Sequence, residues 1–404
     1  MDAGSFFPRC SVTGRRSQRR STSVSNRSKT TARIGTGSRV YPGDTVFEGR
    51  ARRGENVNRS LTACAVVALF SAIARAADAP DGVPELARAL YAAHGDPGAG
   101  FFTPWSQDPR SVWSLLRWQL FSRNEYDKSA APAIPIVAND GRGLATPEHS
   151  ASFTWVGHAT FAIHDGADVI LTDPHFGERA LLPKRLVPPG VPLTAVPPDA
   201  FAVISHAHYD HLDAYTVDAL PASVQWFVPL GLGDWFRERG RPNVVELDWW
   251  QSAERGRWKI TCLPSQHWSR RLGIGTNRSL WCAWLLDSGV RRYFFAGDTG
   301  YFAGFAEYGR RFGPIDVAML PIGAYAPRWF MRWQHMDPAE AVQAWRDLRA
   351  VTMLAMHWGT FDLTDEPADL PPRQLAKLVA EDHLDPERVR ALAIGEVWHQ
   401  PEER

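Results

Sequence analysis

The sequence predicts an α/β fold, mixed α+β in detail, in which two mixed sheets are covered by helices and preceded by an N-terminal extension. Three observations carry this expectation. From residue 152 onward, short apolar runs of strand length recur, punctuated by Gly, Pro and Asp, with helical periodicity between several of them. The runs fall into two groups along the chain, as two packed sheets require. Several of them end in His or Asp, which puts ligand-type side chains at a sheet edge, where α/β folds place their chemistry.

The chain opens on a segment with little to bury. Residues 1–56 hold 12 Lys/Arg against 4 Asp/Glu and are rich in Ser, Thr and Gly. Such a segment cannot offset its ordering entropy, so disorder is expected. Its arginines also fit a nucleic-acid arm. Residues 57–76 favour another account. Val57-Asn58-Arg59-Ser60, the largely apolar run 61–74 and the small-residue site Ala74-Arg75-Ala76 have the three parts of a secretory signal peptide. The apolar run is short for a bilayer span. A signal of this kind belongs at a true N-terminus, so translation is expected to begin at Val57, with residues 1–56 an artefact of the assigned start. Residues 57–76 are then removed, and the product is periplasmic or secreted. From Ala77 onward 31 Lys/Arg face 40 Asp/Glu, a net charge of −9 that argues against nucleic acid as a partner. Cys262 and Cys282 remain, compatible with one disulfide or with two buried free thiols.

Residues 77–145 read as an extension packing on the core, with an amphipathic pattern over 86–93 and an aromatic series at Phe101, Phe102, Trp105, Trp113, Trp118 and Phe121. Residues 146–404 read as the main domain. Strands are expected at 152–156, 160–164, 169–172, 202–205, 226–229, 259–263, 280–286, 293–296, 317–321 and 352–356. Asp337-Pro338-Ala339-Glu340 starts a helix, with Asp as N-cap, Pro in the first position and Glu placed to close a capping box.

The densest chemistry is Ser205-His206-Ala207-His208-Tyr209-Asp210-His211, directly after the apolar stretch Phe201-Ala202-Val203-Ile204. Three imidazoles and a carboxylate in six positions point to a metal site. A mixed N/O donor set without cysteine suits zinc, iron or manganese and differs from structural zinc clusters. A solvated loop or tag is the bland alternative, but a tag would sit at a terminus and lack the aspartate. Three further strand-like runs end in His267, Asp298 and His357. Each alone is weak, since a lone histidine at a strand end is more often structural. Together with the HxHxDH run they supply seven donors, enough for two metals with open positions for water.

This ordered set resembles the metallo-β-lactamase superfamily, and the flanking segments resemble its N-acylphosphatidylethanolamine-hydrolysing phospholipase D branch. The matching segments are Gly157-His158-Ala159-Thr160, Leu171-Thr172-Asp173-Pro174, Trp226 to Leu232, Glu246 to Trp250, Phe294 to Tyr301, Pro321 to Met331 and His357 to Phe361. The resemblance covers roughly residues 100–395. It implies a four-layer αββα sandwich of the metallo-β-lactamase type. It also implies one zinc held by His206, His208 and His267, a second held by Asp210, His211 and His357, and Asp298 bridging the pair, with iron or manganese as alternatives. A hydroxide shared by two cations would attack a phosphodiester and leave a phosphatidate.

The same resemblance implies that His335 and Tyr209 contact substrate, His335 having a catalytic role beside Asp298. His335 precedes the capped helix at Asp337, a favourable place for an anion. Asp173 is read as orienting a ligand histidine or, equally, as a turn-forming Asp-Pro; His158 and His175 are read as structural. The expected partners are a phospholipid substrate, a membrane surface in peripheral contact and a second copy of the chain in a homodimer. Competing readings are a metallo-lactonase or other hydrolase of small soluble substrates, and a non-catalytic metal or lipid carrier. A serine-hydrolase reading lacks its Gly-x-Ser-x-Gly motif.

Overall fold

A computed structural model describes residues 79–401 apart from 81 and 147, so the expectations for 1–56 and 57–76 lie outside the described residues. Two seven-stranded sheets form the centre. The first contains β1 (Glu148–Gly157), β2 (Thr160–Gly166), β3 (Asp168–Thr172), β4 (Phe201–Val203), β5 (Gln225–Pro229) and β6 (Val244–Leu247). The second contains β7 (Ser252–Arg255), β8 (Trp258–Leu263), β9 (Ala283–Asp287), β10 (Arg292–Phe295), β11 (Ile315–Pro321), β12 (Ala350–Met356) and β13 (Val389–Arg390). The chain then returns to the first sheet as β14 (Val397–His399). The spatial orders are β14-β1-β2-β3-β4-β5-β6 and β13-β12-β11-β10-β9-β8-β7. Strands β3 to β6 are mutually parallel, as are β10 to β13; the remaining pairs are antiparallel.

All ten expected strands are present, with ends shifted by up to four residues. In these two sheets the four not foreseen are β6, β7, β13 and β14. Strand β7 is an edge strand of alternating exposed and half-buried residues, Ser252 to Arg255, and carries no apolar signal.

Period-two alternation builds the layers. Phe161, Ile163, Ile170, Phe201, Val203 and Phe227 face the core shared with the second sheet. Their neighbours Ala162, Val169, Leu171, Ala202, Trp226 and Val228 face a separate core. Helices α1 (Ala214–Ala219) and α2 (Gly233–Glu238) cover that outer core through Val217 and Phe236. On the second sheet α3 (Gly304–Phe312), α4 (Pro338–Asp347) and α5 (Leu370–Glu381) bury Phe305, Tyr308, Ala341, Val342, Ala344 and Leu375. Helix, sheet, sheet, helix is the four-layer order expected. Buried on both faces, the strands read as nearly continuous apolar runs.

Asp337 caps α4 by accepting the Glu340 backbone N–H at 2.9 Å. The expected box is not closed. Glu340 turns its carboxylate to Arg328 and Arg332 instead, at 2.7 and 3.0 Å. Residues 86–93 form only a turn of α-helix (Glu85–Arg88) continued by a 3₁₀ turn. The extension is tied to the second sheet's side of the domain: Tyr91 stacks on Trp250 with centroids 4.3 Å apart, and its hydroxyl donates to Glu307 at 2.7 Å. Cys262 and Cys282 are buried free thiols.

Asp165, 1% exposed at the end of β2, ties the sheets together. It accepts from Arg291 at 2.8 Å and the Tyr293 hydroxyl at 2.7 Å, and pairs with Arg257 at 3.0 Å. Asp165→Ala strands these donors, while the partly exposed arginines recover some hydration. Stability should fall by about 2–3 kcal/mol, measured by denaturant unfolding.

Candidate metal centre

Six strand ends meet at one edge of the sandwich. Within each sheet the contributing strands run in one direction, so their C-terminal ends lie together. His158 follows β1, Asp173 follows β3, and the run His206 to His211 follows β4. From the second sheet come His267 after β8, Asp298 after β10 and His357 after β12. Gly297, at φ +57°, lets the chain turn between Phe295 and Asp298; a Cβ there would stand 2.5 Å from the Ser205 Cβ. That close approach lets a residue of the second sheet lie against the loop from the first.

The structure brings the seven expected donors together in two groups. In the first, His208 Nδ1 lies 2.8 Å from His206 Nε2 and 3.2 Å from His267 Nε2. Nitrogens bound tetrahedrally to one zinc stand about 3.3 Å apart, so three lone pairs here already have the spacing of a shared ion. In the second, Asp210 Oδ2 lies 3.6 Å from both His211 Nε2 and His357 Nε2. Asp298 stands between the groups. Its carboxylate is 3.1 Å from His211 Nε2, 3.0 Å from His357 Nε2 and 3.8 Å from His267 Nε2.

These close pairs are not all hydrogen bonds. His211 Nε2, His357 Nε2 and Asp298 Oδ1 are buried and lack a well-aligned partner among the described residues. They crowd one another without alignment, and buried polar atoms are rarely left so. Electrostatics agree. Burial holds His206 and His267 well below the ordinary imidazole range and brings His208 down to about 4, keeping the first group neutral as ligands must be. Burial opposes ionisation of Asp210 and Asp298, but the neighbouring imidazoles, His211 foremost, outweigh it and hold both carboxyls well below their usual range. The same charge acts back: burial disfavours charged His211 and His357, yet Asp298 and Asp210 raise His211 strongly and His357 to about 9. A divalent cation between them answers the same negative charge, so the donor set fits metal.

The supporting residues are specific. Asp173, fully buried, accepts from His211 Nδ1 at 2.6 Å and from the Ser205 backbone at 2.6 Å. Taking the Ser205 N–H ends the β4 ladder, so the expected strand stops at Val203. His267 Nδ1 donates to the Gln334 carbonyl at 3.1 Å, leaving Nε2 as the lone-pair end. His335 enters the centre, Nδ1 3.8 Å from Asp298 Oδ2. Burial brings its pKa down to about 3.

Two residues escaped the sequence reading. His158 is no bystander: its Nε2 lies 3.1 Å from Asp210 Oδ2, and its ring packs 4.1 Å from that of His357. Only its place in the Gly157-His158-Ala159-Thr160 segment hinted at this. Arg271 brackets the histidine run by donating to the Ala207 and Leu212 carbonyls at 3.2 and 2.7 Å, and nothing in the sequence signalled it. His175 stays apart, buried against Phe361 and 3.9 Å from Asp213.

Tyr209 is held by Arg271 and Leu272 rather than by a donor. Its ring lies 4.4 Å from the Arg271 guanidinium and its hydroxyl accepts the Leu272 N–H at 3.1 Å. There it lines a cavity of about 790 Å³ that also reaches His208, Asp210 and Trp268 and is walled by Leu181, Leu182, Leu272 and Leu363.

Residues 169–358 match the Beta-lactamase superfamily domain. The chain is 37% identical over 324 residues to N-acyl-phosphatidylethanolamine-hydrolyzing phospholipase D 1 of Caenorhabditis elegans, covering 74% of this chain and 90% of that protein. It is 35% identical over 262 residues to the mitochondrial N-acyl-phosphatidylethanolamine-hydrolyzing phospholipase D of Saccharomyces cerevisiae, covering 61% of this chain and 55% of the yeast protein. The fold is similar to the crystal structure of a possible metal-dependent hydrolase of Veillonella parvula, with a TM-score of 0.52 at 15% identity over 62% of this chain and 99% of the other. With the strand-end donors, the αββα layers and these relatives in agreement, the chain belongs to the N-acylphosphatidylethanolamine-hydrolysing phospholipase D branch of the metallo-β-lactamase superfamily, a family of metal-dependent hydrolases.

Proposed function

We propose that this chain is a binuclear zinc phosphodiesterase that releases an N-acylethanolamine from N-acylphosphatidylethanolamine or a closely related phospholipid. His206, His208 and His267 would hold one ion, Asp210, His211 and His357 the other, and Asp298 both; the N/O set also accepts iron or manganese. Two bound cations would supply a water made acidic enough to act near neutral pH and a counter-charge for the phosphoryl oxygens.

The chain's own contribution is positioning. Water oxygen bonds to phosphorus, the bond from phosphorus to the ethanolamine oxygen breaks, and the departing oxygen gains a proton as water loses one. Asp298, held ionised, keeps the two donor groups at one spacing. His335, neutral and unpartnered at Nδ1 beside Asp298, faces the space where the phosphate would lie. The observation that carries the lipid reading is the leucine-walled cavity opening onto His208 and Asp210, taken with the activity named for the nematode relative. Leu181, Leu182 and Leu272 are 58%, 78% and 90% exposed at its rim, suited to meeting a membrane surface from which an acyl chain is drawn. Among the described residues no helix is long and apolar enough to cross a membrane, so the contact proposed is peripheral. An export signal at 57–76 would set the reaction at the cell envelope.

The test is product identification by mass spectrometry after incubation of the zinc-loaded protein with mixed phospholipids. Diacyl phosphatidate with N-acylethanolamine is expected; opening of lactones without phosphatidate would replace this reading with the metallo-lactonase one. His208→Ala and Asp298→Asn should each lower turnover by more than the roughly 10–100-fold that loss of a supporting contact costs, with far-ultraviolet circular dichroism unchanged. His335→Ala should retain metal and lose roughly 10–100-fold in kcat, the worth of a hydrogen bond to a charged group. Loss of metal there would make His335 structural. Asp173→Asn should weaken binding of one ion about 10–100-fold, read by calorimetric titration of the metal-stripped protein.

A further inference from the structure

The N-terminal extension sends one cation into the wall of the centre. Arg110 lies with its guanidinium 5.2 Å from the Trp268 ring, 5.2 Å from that of Trp333 and 5.8 Å from that of Phe330. Its side chain is only 10% exposed. Nε and Nη2 grip the two oxygens of Asp108 at 2.8 and 2.6 Å, and Nη1 donates to Gln334 Oε1. That same amide oxygen accepts from Trp268 Nε1 at 2.6 Å. Gln334 is the residue whose backbone carbonyl receives His267 Nδ1 at 3.1 Å, and His335 is its neighbour.

We infer that Arg110 is a positioning residue of the metal centre: it fixes Gln334, and through it the ring orientation of His267. The inference rests on the binuclear reading above. A planar fork suits this place because one group must serve a carboxylate bidentately, an amide oxygen end-on and aromatic faces at once. An ammonium cannot do all three. The extension reinforces the same strand end twice more. Trp105 Nε1 donates to Gln266 Oε1 at 3.1 Å, and Trp333 Nε1 donates to Ser106 Oγ at 2.9 Å. Gln266 Nε2 in turn donates to the Trp333 carbonyl at 2.9 Å, locking the turn before His267 to the turn before His335.

The experiment compares the full chain with Arg110→Ala, Arg110→Lys and Gln334→Ala, each loaded with zinc and titrated with a chelator. Wild type should yield two equivalents. Arg110→Ala and Gln334→Ala should release one of them at roughly 10–100-fold lower chelator concentration, as loss of an orienting contact does. Arg110→Lys should recover less than half of that loss on a logarithmic scale. Melting temperatures in excess chelator separate positioning from general stability, and they should move little. Wild-type retention of both equivalents in Arg110→Ala and Gln334→Ala overturns the inference. So does joint release of both ions in step with loss of the folded signal. A wild-type chain holding fewer than two equivalents overturns the binuclear reading itself, and this inference with it.

Discussion

A carboxylate 3% exposed to water, Asp298, sits among imidazoles drawn from four separate segments, and its charge governs the rest of the centre. An ionised group so deeply buried survives only with compensating charge and hydrogen bonding. The flanking histidines answer that charge: Asp298 and Asp210 raise His211 and His357 against their burial, whereas burial holds His206 and His208 down. Buried nitrogens and oxygens without an aligned partner are where the proposed cations would complete it. The sandwich sustains this arrangement by stiffness: strands buried on both faces leave the loops at their ends little freedom to relax away from one another.

The two sheets contribute differently. The first delivers a contiguous run, so His206, His208, Asp210 and His211 share one loop and one set of supports: Asp173 behind His211, His158 behind Asp210, Arg271 across the loop's carbonyls. The second delivers one residue per strand, and each needs its own device. For Asp298 it is the left-handed Gly297 pressed against Ser205; for His267 it is the Gln334 carbonyl. Register between the sheets is therefore set at the site itself, where residues 205 and 297 touch, as well as by Asp165 near the opposite end of β2.

Much of this was legible because the signals were local. An apolar run ending in His or Asp reports both the strand and the donor, and the HxHxDH spacing reports a shared loop. What could not be read depends on pairings far apart in the chain. His158 and Asp210 are brought together by β-pairing across β1 to β4, and no local pattern marks a histidine as a carboxylate's support. The Asp173-Pro174 pair is evenly balanced between turn and orienter in the sequence because its partner lies 38 positions away. Glu340 misleads for the opposite reason. A capping box is locally sensible there, but Arg328 and Arg332 offer a charged partner that a backbone N–H cannot match. Edge strand β7 and the short β13 and β14 carry too few apolar residues to announce themselves, and exist because a neighbouring strand leaves its hydrogen-bonding groups exposed.

The proposed substrate route follows where supports are absent. On the His267 side the first donor group is backed by Gln334, Trp268 and the extension, where a smaller cavity of about 330 Å³ reaches His267. The second is closed on the His158 side by Phe361, whose ring packs 5.3 Å from that of His158. The larger cavity lies between the Leu181-Leu182 turn and the Leu272 tip of a hairpin formed by Arg270–Arg271 and Gly275–Thr276, where Tyr209 and Arg271 join the hairpin to the metal run. Leu181 holds a positive φ of 60°, an uncommon conformation for a branched apolar residue, and is fixed there by the Arg179–Lys184 bridge that closes the turn. An exposed leucine held in a costly backbone conformation at the mouth of a polar centre has a reason if that mouth meets hydrocarbon. The proposed membrane contact would give both the strain and the exposed apolar surface that reason.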